Sequence, residues 1–132
     1  MGYRSDVVVV IYPEPQPDAA KEQEMYDQLK VLMATQFKDV VDAHFGENMS
    51  WNDADRVLKF EMLDVKWYDS YADVQAFTGM LQQFNAFDDT DIAGYCTEFV
   101  RIGEDYDDVE LNRTGDNCHY YLSVNREVVC DV

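Results

Sequence analysis

The stretch Val7-Val8-Val9-Val10-Ile11-Tyr12 decides the fold of this chain. Its β-branched residues favour an extended backbone, because their side chains are restricted in a helix and pack well on a pleated surface. A continuous apolar run is typical of a strand that is buried on both faces. Pro13 closes the run, and the 132 residues of the chain have the length of one domain, residues 1–132.

A long helix is predicted after the proline-rich turn that follows this strand. Asp18 stands near its start, where a carboxylate interacts favourably with the helix dipole. The helix is expected to run to Gly46, which would end it as a left-handed cap. Its apolar stripe consists of residues at three- and four-residue spacing, namely Met25, Tyr26, Leu29, Leu32, Met33, Phe37, Val40, Val41 and Phe45.

Residues 56–68 show the alternation of a second strand, with one change of phase. An extra residue near Met62-Leu63, a β-bulge, would keep the apolar residues on both sides of the change pointing inward. These inward residues are Leu58, Phe60 and Met62, followed by Leu63, Val65 and Trp67.

A second helix is predicted to begin at Ser70-Tyr71-Ala72-Asp73, which matches a capping box. Its inward face consists of Val74, Phe77, Met80, Leu81, Phe84 and Phe87. Further strands are predicted at 95–102 and 117–124, and a last strand at 127–130 would form a hairpin with its predecessor.

The order β-α-β-α-β-β-β predicts a two-layer α+β domain. We expect a mainly antiparallel sheet of about four to five strands with two helices on one face, because two helices can cover only one face of such a sheet. The other face is then expected to be polar or to be covered by a partner.

The charge of the chain says more about its possible partners than its length does. It has 27 acidic and 10 basic residues, a net charge of −17, and 47% of its residues are hydrophobic. We therefore expect a packed domain with a negative surface, which repels nucleic acid and anionic membranes and attracts basic proteins. No apolar run approaches the ~20 residues that cross a bilayer. The odd number of cysteines favours a reducing compartment without a disulfide framework.

The acids are densest between residues 88 and 110, where nine of them accompany one arginine. One interpretation is a solvated loop, in which like charges strain the folded state at neutral pH. A second is a docking site for a basic protein, in which carboxylates imitate the phosphates of a duplex. The predicted partner-binding acids are Asp88, Asp89, Asp91, Glu104, Asp105, Asp107, Asp108 and Glu110. Tyr106, Tyr68 and Tyr71 are predicted as aromatic anchors.

Signals for an enzyme or a metal site are weak. Calcium takes oxygen ligands, but neither acidic stretch matches an EF-hand loop. His119 and Cys118 are adjacent, so on one strand their side chains would point to opposite faces and could not act together. We expect no catalytic residues, no metal and no cofactor. A carboxylate-based hydrolase or a calcium-binding protein is kept as a third interpretation.

Three segments resemble a family of small acidic proteins encoded by bacteriophages and prophages. They are MGYRSDV at 1–7, DVKWYDS at 64–70 and YCTEFVRIGE at 95–104. The resemblance implies an accessory protein in the host bacterial cytoplasm that binds and inhibits a basic host protein, either a defence factor or a nucleic-acid-handling one, by imitating DNA. The alternative from this context is a phage structural or assembly module that forms a homo-oligomer through its sheet.

Overall fold

The computed structural model of the protein describes residues 2–84 and 92–124. Its strands are β1 (Ser5–Pro13), β2 (Met49–Asn52), β3 (Val57–Val65), β4 (Tyr95–Gly103) and β5 (Val109–Thr114). They form one antiparallel sheet in the order β2-β3-β1-β4-β5. The apolar run that opened the sequence analysis therefore occupies the middle of the sheet, which explains why it lacks polar residues on either face.

The helices are α1 (Ala19–Ala34), the short α2 (Lys38–Val40) and α3 (Ala72–Gln82). They cover one face of the sheet, where Val7, Val9 and Ile11 of β1 join one core cluster with Leu29 of α1 and Phe77 of α3. The predicted two-layer α+β architecture is confirmed. Among the described helices, none has the length and apolar character that a bilayer-spanning segment needs.

The prediction of one unbroken helix up to Gly46 is wrong. Asp18 does cap α1, since its Oδ1 accepts a hydrogen bond of 2.9 Å from the Ala20 amide. The helix ends at Ala34, because Thr35 leaves the helical region and its hydroxyl bonds back to the Val31 carbonyl. After α2, a π-helical turn (Val41–Phe45) and a 3₁₀ turn (Gly46–Asn48) follow. Gly46 has a right-handed conformation, so it is no left-handed cap.

The predicted bulge in β3 is confirmed, but it does not bury both residues beside it. Ser5 pairs with Val65 and Val7 with Met62, so Leu63 and Asp64 together oppose one residue of β1. Asp64 has a φ of +55° and Leu63 is 56% exposed, which corrects its predicted inward position.

The start of α3 also differs from its prediction. Tyr71 occupies the N-cap position and no side chain caps the helix, so the predicted capping box is not formed. The inward face is confirmed for Val74, Phe77, Met80 and Phe84, which are buried. Phe87 lies outside the described residues.

The strands of the structure differ from the predicted ones in two ways: two strands were not predicted, and one predicted strand is not formed. β2 and β5 were not predicted, and β5 begins at the end of the acidic stretch, residues 88–110, that was interpreted as a loop. Residues 117–124 form no strand, because Asn117 and Tyr120 have φ values of +57° and +56°, which interrupt an extended backbone. The predicted strand at 127–130 lies outside the described residues.

The second face of the sheet is covered by the chain itself, which corrects the expectation of a polar or partner-covered face. Val10, Tyr12, Val57 and Cys96 form a second core cluster there, against which residues from 115–124 pack. Gly115 allows this path because its φ is +102° and a Cβ would lie 2.7 Å from the Tyr95 carbonyl oxygen.

A buried carboxylate holds this covering segment in place. Glu98 of β4 is fully buried and accepts hydrogen bonds from the Tyr12 hydroxyl (2.5 Å) and from the amides of Tyr121 (3.0 Å) and Leu122 (2.8 Å). Arg113 approaches the same carboxylate at 3.7 Å, and its guanidinium donates to the Leu122 carbonyl. Burial and the hydrogen bond to Glu98 raise the pKa of the Tyr12 phenol. This network is part of the folded core.

A disulfide between Cys96 and Cys118 makes a second, covalent link between β4 and the covering segment. The expectation that the cysteines form no disulfide is therefore wrong for this pair. Their spacing in sequence gave no signal because the contact depends on how residues 115–124 cross the sheet. The cysteine count then no longer supports a reducing compartment.

Replacement of Glu98 by glutamine is expected to lower the free energy of unfolding by about 3 kcal/mol, because it removes the charge that the surrounding donors and Arg113 require. Urea denaturation measures the change. The matched control is Glu24→Gln on the exposed side of α1, for which a change within about 0.5 kcal/mol is expected. Equal effects of the two substitutions would contradict the assigned role of Glu98.

Reduction of the disulfide is expected to lower the free energy of unfolding by about 3 kcal/mol, since the bond joins residues 22 positions apart and restricts the unfolded chain. Denaturation with and without a dithiol reductant gives the difference. The Cys118→Ser variant, which has no bond to reduce, should not respond to the reductant. Unchanged stability after complete reduction of the natural chain would show that the bond does not stabilise the fold.

Candidate partner-binding surface at one end of the sheet

One end of the sheet gathers acidic and tyrosine side chains from distant parts of the sequence. At this end β1 begins and β3 and β4 end, because Ser5 pairs with both Val65 and Gly103. We call this surface the acidic tip. It consists of Tyr3, Arg4, Asp6, Asp64, Tyr68, Tyr71, Glu104, Asp105, Tyr106, Asp107 and Asp108.

Tyr3 links the parts of the tip. Its hydroxyl donates to Asp108 Oδ2 at 2.6 Å and accepts from the Asp105 amide at 3.0 Å, so it fixes the turn between β4 and β5. Its own amide donates to the Tyr68 hydroxyl at 2.7 Å. The hydrogen bond from the Asp105 amide favours the phenolate, but the hydrogen bond to Asp108, the partial burial of the phenol and the nearby carboxylates together outweigh it, and the pKa of Tyr3 is raised. Tyr3 therefore stays a neutral donor at physiological pH.

Arg101 neutralises part of the predicted acidic patch. Its guanidinium donates to Asp108 Oδ1 at 2.6 Å and lies 2.7 Å from Glu110 Oε1, and its side chain is only 12% exposed. The hydrogen bond to Asp108 raises the pKa of Arg101, so the ion pair persists over the whole physiological range. For Asp108 and Glu110, the expectation of unneutralised, mutually repelling carboxylates is therefore corrected.

The other acids of the tip form its outer surface. Glu104 accepts a hydrogen bond from the Arg4 amide at 2.8 Å, and Asp6 accepts one from the Asp64 amide at 2.9 Å. Asp105 and Asp107 are exposed on either side of Tyr106. The turn thus exposes carboxylates to solvent, while its backbone is fixed by the hydrogen bond between the Asp105 amide and the Tyr3 hydroxyl.

The tyrosines of the tip differ in their exposure. Tyr106 is 62% exposed at the summit of the turn. Tyr71 is 39% exposed and its ring packs edge-on against Tyr68 at 5.0 Å between centroids. The Tyr68 hydroxyl accepts a hydrogen bond from the Tyr3 amide. The Tyr68 ring is therefore held against the protein and is less available to a partner than the rings of Tyr71 and Tyr106.

The structure brings most of the predicted binding residues together. Glu104 to Asp108, Tyr68 and Tyr71 all lie at the tip, and Glu110 borders it through Arg101. The predicted residues Asp88, Asp89 and Asp91 lie outside the described residues. Sequence reasoning missed Tyr3, which has no periodicity or motif to mark its contact with residues 102 and 105 positions away.

The candidate catalytic and metal features of the sequence take other roles in the fold. Cys118 is bonded to Cys96, so its sulfur is not a free nucleophile, and the His119 ring packs against Tyr12 and Tyr121. Within residues 2–84 and 92–124, no three His, Cys, Asp or Glu side chains are grouped as metal ligands.

Comparison with protein-family models, with curated proteins and with solved structures gives no match to this chain. The resemblance to acidic phage proteins therefore stays a prediction. The functional argument depends on the geometry and charge of the acidic tip.

Replacement of Tyr3 by phenylalanine is expected to loosen the turn at residues 104–108, because the ring keeps its packing while the bonds to Asp108 and Asp105 are lost. The expected loss of stability is about 1 kcal/mol, with faster amide hydrogen exchange at Asp105. Tyr71→Phe is the control, and it should leave the exchange of the turn unchanged. Equal exchange rates in the natural chain and the Tyr3 variant would show that Tyr3 does not hold the turn.

Proposed function

We propose that this chain is a non-catalytic binding protein whose acidic tip docks on a basic, nucleic-acid-binding host protein and inhibits it. The observation that carries the proposal is the turn from Glu104 to Asp108, which presents Asp105, Tyr106 and Asp107 on a backbone fixed by Tyr3. A fixed turn loses little conformational freedom on binding. An exposed tyrosine between two carboxylates supplies both contact area and long-range attraction.

The distribution of the basic residues supports this proposal. The bases that form ion pairs with carboxylates of the same chain are Lys30, Lys38, Arg56, Lys59, Arg101 and Arg113. Their charge is already compensated, so the field outside the protein comes from the large excess of acids. A basic surface that normally contacts phosphates would meet carboxylates at the tip instead.

The resemblance to acidic phage proteins supplies the biological context of the proposal. In that context the chain acts in the host bacterial cytoplasm, and its partner is a defence factor or a nucleic-acid-handling protein. Inhibition follows if the tip occupies the surface that the partner uses for DNA, which is the sense in which the tip imitates DNA. Duplex DNA and the acidic protein should then exclude each other from the partner.

The proposal predicts salt-dependent binding that depends on the tip. A labelled lysine- and arginine-rich peptide is titrated with the protein at about 50 mM and about 500 mM salt, and binding should weaken strongly at the higher concentration. The double variant Asp105→Asn/Asp107→Asn should bind about fivefold more weakly, since two exposed ion pairs together contribute about 1 kcal/mol.

The matched control is Glu24→Gln/Asp39→Asn, which removes the same charge from the exposed surface of α1 and α2. This control should change the dissociation constant of the peptide less than twofold, which corresponds to ~0.4 kcal/mol, because charges far from the bound peptide are screened by salt. Equal losses in both double variants would show that net charge, and not the tip, attracts the peptide. A pull-down from bacterial lysate followed by elution with duplex DNA then tests inhibition, and a captured protein that DNA does not displace would contradict it.

An assembly module is the second candidate, and the open edges of the sheet favour it. In the described part of the chain β2 and β5 each pair on one side only, so both could accept a strand from another copy. Light scattering separates the two functions. A stable closed oligomer at micromolar concentration would favour assembly, whereas a monomer would favour the docking function.

A further inference from the structure

A cleft of about 440 Å³ opens on the helix-covered face of the sheet, between α3 and the outer strands β4 and β5. Its apolar wall includes Trp67, Phe84 and Phe99, and its polar margin includes Asp69, Glu110 and Asn112. A volume of this size is typical of sites that bind a small molecule or a side chain together with its neighbouring residues.

The sequence of β5 creates this cleft. On the face that carries the helices, Phe99 of β4 pairs with Asn112 and Arg101 pairs with Glu110, so the apolar core gives way to polar side chains at the outer strand. Trp67 stands at the boundary. Part of its ring packs against Phe77 at 5.7 Å between centroids, and the remainder lines the cleft.

We propose that the cleft binds an arginine side chain of the basic partner, an inference that rests on the proposed function. The guanidinium would stack on the accessible part of the Trp67 ring, because a planar, weakly hydrated cation is attracted to an indole face. Asp69 and Asn112 line the same cleft, and their side-chain oxygens would supply acceptors for its N–H groups. The aliphatic stem of the arginine would contact Phe84 and Phe99.

The charges around the cleft favour a cation over an anion. Asp69 forms no ion pair with any base in the described ranges, so its charge is available to a ligand. Glu110 is partly compensated by Arg101, which it shares with Asp108. Arg113 also lines the cleft, but its guanidinium bonds to the Leu122 carbonyl and approaches Glu98 on the opposite face of the sheet. The uncompensated charge at the cleft is therefore negative.

The cleft adjoins the acidic tip, so one partner segment could contact both. Trp67 and Asp69 belong to the same connection between β3 and α3 that supplies Tyr68 and Tyr71 to the tip. On the other side, Glu110 of the cleft shares Arg101 with Asp108 of the tip. We infer that the tip attracts a basic segment and the cleft selects arginine within it.

Two short lysine-rich peptides of equal charge test this inference, one with a central arginine and one with lysine in its place. The natural chain should bind the arginine peptide about fivefold more tightly, a difference typical of one desolvated cation–π contact. This preference should disappear in Asp69→Asn and in Asn112→Leu, which removes an acceptor at the exposed margin of the cleft without adding an aromatic ring. It should persist in Glu24→Gln and in the tip variant Asp105→Asn/Asp107→Asn, although the latter weakens both peptides.

The outcomes separate the two proposals. Equal binding of both peptides, weakened by the tip variant, would overturn the arginine cleft and leave the docking function intact. An arginine preference that survives in both cleft variants would also overturn it, since the selective contact would then lie elsewhere. If neither peptide binds at low salt, the docking function fails and the cleft proposal fails with it.

Discussion

The buried carboxylate of Glu98 is the constraint on which the rest of the structure depends. A charge that is fully removed from water costs several kcal/mol unless donors surround it, and Glu98 is fully buried on β4, a strand that is paired on both sides. One donor, the Tyr12 hydroxyl, comes from the neighbouring strand, and two are the amides of Tyr121 and Leu122. Because those amides must reach the carboxylate, residues 115–124 have to cross the second face of the sheet. The same crossing brings Cys118 to Cys96 and closes the second core cluster.

This arrangement gives the molecule two different regions: a face of the sheet that is covered by residues 115–124, and an end of the sheet, the acidic tip, that is exposed to solvent. The covering segment protects a face that would otherwise expose Val10 and Cys96 to solvent. The end of the sheet is built differently, since Tyr3 and Arg101 hold the turn between β4 and β5 from inside while its carboxylates remain outside. The acidic tip is therefore preorganised, and its carboxylates are presented on a surface with a defined shape. That combination favours specific docking over general solubility as the role of the acids.

The elements that local pattern determines could be predicted from the sequence, and those that depend on distant contacts could not. The apolar run at β1, the apolar faces of α1 and α3 and the phase change in β3 are local patterns, so the two-layer architecture was predictable. Glu98 was not, because a glutamate within a strand usually faces solvent and its donors lie 23 and 24 residues further along the chain. At the tip, charge density identified Glu104 to Asp108, whereas Tyr3 acts across more than a hundred residues of sequence.

Native-state hydrogen exchange at Tyr121 and Leu122 tests the central claim most directly. Both residues lie in a segment without regular secondary structure, and an irregular surface segment normally exchanges its amides quickly. If Glu98 fastens this segment to the sheet, the two amides should exchange only through an opening whose free energy approaches that of global unfolding. Exchange of both amides at the rate of exposed, unbonded ones would show that the segment is not fastened, and the account of how the second face is closed would be wrong.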